Sequence, residues 1–174
     1  MEASSASERG GYLRVGRLTP AELGGCIAGI VLVGSLFLPW FATSETNDNS
    51  SLAGASGGET VTAFEVFPVL KWLLVAAAVA PFILSWIVAR GHKLTWKPGE
   101  VTMVVGVTAF VLVLCNGIVL GKPEETQGPN VGQSIEISLQ LGYLVALVAA
   151  LALAGFGFLR QAHYTAGRKP PGVI

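Results

Sequence analysis

The sequence predicts an all-α membrane protein: a bundle of four transmembrane helices with both termini in the cytoplasm and a small extracellular β element built from the two outer loops. Three observations predict it. Of 174 residues, 52% are apolar and only 13% charged, with mean hydropathy +0.61, whereas soluble domains carry about 25% charged residues. The charges are gathered between long apolar runs rather than scattered through them. Nine of the eleven Lys and Arg also fall in segments that share one side if each run crosses a bilayer.

A helix rising about 1.5 Å per residue needs roughly 20 apolar residues to cross the hydrocarbon core. Four runs free of Asp, Glu, Lys and Arg meet that length: 23–41, 72–89, 101–121 and 141–159. The helices are accordingly expected at about 21–41, 68–89, 100–121 and 141–160, giving a membrane domain over 19–160. The flanking segments 1–18 and 161–174 are polar and read as cytoplasmic tails, the first disordered. Helix one has a clear start: Thr19 caps, Pro20 suits the first turn, and Glu22 completes a Thr-x-x-Glu capping box. Pro81 removes a backbone donor within helix two and is expected to kink it. The third run is rich in Val, but twenty residues without alternation select a helix over a strand.

Arg9, Arg14 and Arg17 precede the first run, Arg90, Lys93 and Lys97 separate the second from the third, and Arg160, Arg168 and Lys169 follow the fourth; only Lys71 and Lys122 lie opposite. The positive-inside rule makes the richer side cytoplasmic. Trp40, Phe41, Trp72, Trp86 and Tyr143 sit near the proposed boundaries, where amphipathic rings favour the headgroup level.

The first outer loop carries a Ser/Gly/Asn-rich tip between flanks of extended character, 41–44 and 59–64, which suggests a hairpin. In the second, Ile135-Glu136-Ile137-Ser138-Leu139-Gln140-Leu141 alternates strictly, as a strand with one dry face would. This strand is expected to pair with the first loop. An amphipathic start to helix four is the alternative.

Bilayer helices associate through close backbone approach, so small residues four apart mark contact faces. Gly142, Ala146, Ala150 and Ala154 form such a stripe in helix four, and Gly25 and Gly29 another in helix one. Asn116 is the most polar side chain well inside a run and is expected to make an interhelical hydrogen bond. Lys71, beside Trp72, can snorkel to water without a partner. The two cysteines, Cys26 and Cys115, read as packing residues at different depths, and His92 and His163 have no ligand partners at metal spacing. No cofactor or metal is expected. Zero net charge supplies no field for nucleic acid.

The segments Ser35-Leu36-Phe37-Leu38-Pro39-Trp40-Phe41, Thr62-Ala63-Phe64-Glu65-Val66-Phe67 and Leu141-Gly142-Tyr143-Leu144 resemble those of a group of uncharacterised four-span membrane proteins from actinobacteria. That resemblance implies the topology and a bacterial inner membrane, and it carries no activity. The order of spans, with a larger first outer loop, is also similar to claudin-type proteins, although the claudin Gly-Leu-Trp and paired loop cysteines are absent. With no nucleophile and base pair in view, the expected role is non-enzymatic: a structural or interaction protein of the cytoplasmic membrane. Its partners are the lipid bilayer and another membrane protein or itself, with no nucleic acid. The alternative is a small transporter or channel subunit acting as an oligomer.

Overall fold

The computed structural model describes residues 18–47, 50–90, 97–120, 122 and 137–166. The tail 1–17, Asp48 and Asn49, His92, the turns of the second outer loop and strand positions 135 and 136 lie outside them. Helix α1, Pro20–Ser35, opens on the anticipated capping box: the Thr19 N–H donates to Glu22 Oε2 at 2.6 Å and the Glu22 N–H to Thr19 Oγ1 at 3.4 Å.

The first helix was expected to run to about residue 41, but it ends at Ser35, and β1 occupies Pro39–Ala42. Pro39 is the cause. It has no N–H for the Ser35 carbonyl one turn back, and its ring would press on that same carbonyl. The freed oxygen instead accepts from Leu38 N at 3.2 Å and from the Trp40 indole Nε1 at 2.7 Å. This bond fixes the buried indole at the point where helix becomes strand.

Beyond β1, the short strands β2 (Ser51–Leu52) and β3 (Ala55–Ser56) form a hairpin. Its two-residue turn holds Ala53 and Gly54 at φ 52° and 92°, the positive-φ geometry that matches strand twist. Strand β4, Thr60–Thr62, returns antiparallel to β1 and runs into the one-turn helix α2, Ala63–Val66. Helix α3 spans Leu70–Ala89. Helix α4, Pro98–Leu114, continues through a π-helical turn, Cys115–Val119. Strand β5, Ser138–Leu139, adds to the other side of β1 with Phe41 opposite Leu139, so the sheet order is β4-β1-β5. Of the alternating segment, Ser138 and Leu139 therefore pair with the first loop, and Leu141 already belongs to the next helix. Helix α5, Leu141–Ala166, begins two residues later and reaches six residues past the boundary expected at 160.

Three helical stretches are long and apolar enough to cross a membrane: Leu70–Ala89, Gly99–Val119 and Leu141–His163. At 16 residues α1 is shorter, about 24 Å against a hydrocarbon core of about 30 Å. Helix α5 packs on α1 and α4, and α3 packs on the same two, which closes the bundle. Its centre is lined by Leu32, Leu74, Ala78, Ala109, Val113 and Ala150, and beneath the sheet it ends in Trp40, Phe41 and Tyr143, all three fully buried. Trp40 meets Tyr143 edge to face at 5.6 Å and Phe67 at 5.9 Å. Outward, every long helix presents large apolar side chains: Ile27 and Ile30, Phe82 and Ile83, Val104 and Val107, Val148 and Leu151.

Candidate functional site at the charged end of the bundle

The end of the bundle opposite the sheet holds a buried ion pair. Glu22 stands three residues into α1 because the capping box folds its side chain back over the helix start, where the unpaired N–H groups favour a carboxylate. Its Oε2 accepts from the Thr19 N–H and, at 3.1 Å, from the Thr19 hydroxyl. The other oxygen, Oε1, makes no further hydrogen bond and lies 2.6 Å from Arg160 Nη2. The Glu22 and Arg160 side chains are 2% and 17% exposed. One carboxylate thus caps its own helix and fastens the start of α1 to the far end of α5.

Directly inside the pair lies a crevice reached by all four long helices, with Gly25 from α1, Pro81 and Ser85 from α3, Thr102 from α4 and Gly157 from α5 on its walls. Its volume of about 10 Å³ is at the lower limit for a single water. The Ser85 hydroxyl sits 3.5 Å from the Cys26 thiol across the α1–α3 contact. At the outer rim, Gln161 Nε2 donates to Glu100 Oε1 at 3.3 Å, a polar tie that joins α5 to α4 as the ion pair joins it to α1. The arrangement gathers a carboxylate, a guanidinium and two hydroxyls in one layer where all the helices meet. It can pin the helix ends and hold one small polar guest.

The small residues singled out in the sequence are all buried, each in a different setting. A Cβ on Gly29 would stand 2.5 Å from the Ala78 carbonyl oxygen, so α1 and α3 touch backbone to backbone there. Gly25 faces Pro81 and Thr102, and Gly142 fits beneath the Pro39 carbonyl and the Trp40 ring. Ala146 and Ala150 are fully enclosed, and Ala154 packs its backbone against Gly106 of α4. Asn116 lies within the π turn at φ −87°, ψ 29°, and its amide donates to the Leu112 carbonyl of its own helix at 2.9 Å. Lys71 has a partner after all: Nζ donates to the Phe64 carbonyl at 2.8 Å and lies 5.3 Å from the Phe64 ring centre. Both cysteines are free thiols.

Sequence reasoning read Glu22 only as a cap and Arg160 only as an orientation signal. Their pairing had a faint signature: an acid opening the first apolar run and a base closing the last must meet at one end if the runs alternate in direction. Gly106 and Gly157, where α4 and α5 approach most closely through Ala154 and Met103, were missed because neither belongs to a small-residue stripe. Comparison with protein-family profiles, curated proteins and solved structures finds no match to this chain.

Proposed function

We propose that this is a four-span protein of the cytoplasmic membrane, with both ends in the cytoplasm and the sheet outside, acting as a non-enzymatic structural or interaction protein. The observation that carries the reading is the exterior of α1. Although short, this helix exposes Leu23, Ile27, Ile30 and Val31 as fully as the three longer helices expose theirs, a surface suited to lipid and costly in water. The turn after Ser35 and the entry into β1 supply the length that α1 lacks. Along α5, Leu141 and Arg160 stand about 29 Å apart, close to one hydrocarbon thickness. The ion pair and the sheet therefore suit opposite headgroup levels.

Arg90, Lys97 and Arg160 lie at the ion-pair end and Lys71 and Lys122 at the sheet end, a distribution that supports placing the former in the cytoplasm. The likeness of Leu38-Pro39-Trp40-Phe41 to the actinobacterial four-span group favours a bacterial inner membrane. An interaction role draws support from the β2–β3 hairpin and the outer edges of β4 and β5, which pair with no further strand among the described residues.

The test uses single cysteines at Gly54 and at Gln161 in a chain with Cys26 and Cys115 replaced by alanine. An impermeant thiol reagent added to intact cells should label the first and spare the second. The opposite pattern, or purification without detergent, would overturn the reading. Crosslinking in the membrane should then capture a second protein or a second copy, and a monomer without partners would remove the interaction role.

The crevice favours a second reading, a small transporter subunit, because four helices and the Pro81 position converge on polar groups there. The engaged Asn116 amide gives that reading no support. Ion or solute flux in liposomes that Ser85→Ala and Thr102→Val together abolish would favour it.

A further inference from the structure

We infer that the outer groove between α1 and α5 is a binding site for one anionic phospholipid, its phosphate at Arg160 and His163 and an acyl chain along the apolar wall. This rests on the membrane reading above. The groove has two chambers on one face. Toward the sheet, a trough of about 470 Å³ is walled by Ile27 and Val31 of α1 and by Leu144, Val148, Ala152 and Phe156 of α5, and its lining is almost wholly apolar. Toward the charged end, a second hollow of about 400 Å³ is lined by Thr19, Pro20, Ala21, Arg160 and His163.

Positions 148, 152, 156, 160 and 163 advance by three or four residues, so both chambers lie on one stripe of α5. Between them the Phe156 ring lies over Gly24, where α1 has no side chain to exclude it. Each hollow falls within the size range of small-ligand sites. Together they set an apolar wall directly beside a cationic mouth, and a chain anchored at Arg160 lies along Phe156, Ala152 and Val148 within about 18 Å, an amphipathic arrangement that suits a lipid better than a free anion.

Charge decides the headgroup. Glu22 lies inward and 2% exposed, beneath Arg160, so no carboxylate of the described residues lines the outer hollow. The guanidinium spends one nitrogen on Glu22 and has further N–H donors in a planar fork suited to phosphate. His163 Nδ1–H donates to the Leu159 carbonyl at 2.7 Å, so Nε2 is the ring atom that faces away from the helix backbone, and it donates to phosphate when the ring carries both protons. The Ala21 N–H, in the first turn of α1 at the same hollow, has no acceptor among the described residues.

The experiment is native mass spectrometry of the full chain, delipidated in mild detergent and titrated with synthetic phosphatidylglycerol or phosphatidylcholine. One phosphatidylglycerol per chain should be retained about fivefold more strongly than phosphatidylcholine. Arg160→Lys combined with His163→Ala keeps a cation for Glu22 and should bring that ratio to about one. Ala152→Phe fills the trough and should weaken both lipids at this site, whereas Val107→Trp, on the exposed face of α4, should weaken neither. Inorganic phosphate should not displace the lipid. Equal retention of the two lipids by the wild type would overturn the proposal, as would displacement by phosphate or a dimer that disulfide-links through Val148→Cys. Each variant is checked for an unchanged melting temperature first. A chain that needs no detergent refutes the membrane reading itself, while an embedded chain without lipid preference refutes only this site.

Discussion

The Tyr143 hydroxyl donates a 3.0 Å hydrogen bond to the Val113 carbonyl, which joins the first turn of α5 to the place where α4 widens into its π turn. In that turn the Leu120 N–H reaches back five residues to Cys115, and just before it the Cys115 N–H is shared between the Leu112 and Val111 carbonyls. Tyr143 adds a donor to the Val113 carbonyl from another helix, and the Asn116 side-chain amide adds one to Leu112. The ring of Tyr143 can approach because position 117 is glycine: a Cβ there would penetrate it.

Removing the donor alone should therefore matter. Tyr143→Phe removes this buried hydrogen bond and is expected to destabilise the chain by about 1 kcal/mol. Gly117→Ala has to displace the whole ring, which also packs on Trp40, and is expected to cost about 1–3 kcal/mol. Thermal unfolding in detergent measures both. A Tyr143→Phe protein as stable as wild type would show that the π turn is satisfied without it.

At the other end of the bundle, Glu22→Ala removes the carboxylate half of the capping box and leaves the half-buried Arg160 guanidinium without its counter-charge. The expected loss is about 3 kcal/mol, the lower end for a broken buried pair, since Arg160 is partly open to solvent. Glu22→Gln with Arg160→Gln removes both charges and should be less destabilised than Glu22→Ala alone. A double-mutant cycle with a coupling near zero would deny that the pair ties α1 to α5.

Gly106 sets the distance between α4 and α5. Its Cα faces the Ala154 backbone, and backbone cannot rotate out of the way as a side chain can. Gly106→Leu should force the two helices apart, with a melting temperature lower than that of Gly155→Leu, whose Cβ meets open space. Equal melting temperatures for the two variants would place the tight contact elsewhere.

What was legible in the sequence was local. The capping box at Thr19 and Glu22, the alternation through Ser138 and Leu139, and the long apolar runs each state their geometry within a few residues, because hydrogen-bond reach and side-chain period act at that range. The stop at Ser35 was equally local, written in Pro39, but the apolar run beyond it concealed the break. The Glu22–Arg160 pair and the Gly106–Ala154 approach were not legible. Each depends on which helix lies beside which, and hydropathy alone does not order four helices around an axis.

The turn from β4 into α2 supplies a pH dependence. Glu65 Oε2 accepts from the Thr62 N–H at 2.7 Å and from the Thr62 hydroxyl at 2.9 Å. These bonds, the backbone one foremost, hold the Glu65 pKa below its ordinary value. A depressed carboxylate contributes stability that is complete above the unfolded pKa and is lost as pH falls through the folded one. Nothing should change from neutrality down to the ordinary carboxylate range, and α2 should loosen only in more acid solution. Trp72 reports it, since its ring meets Phe64 of α2 at 6.0 Å: acidification should shift the Trp72 fluorescence in a chain whose other tryptophans are replaced by phenylalanine. Because Glu65 is exposed the amplitude should be small, and Glu65→Gln, which keeps an acceptor but cannot titrate, should flatten the profile. A profile that survives the substitution would assign the acid transition to another group.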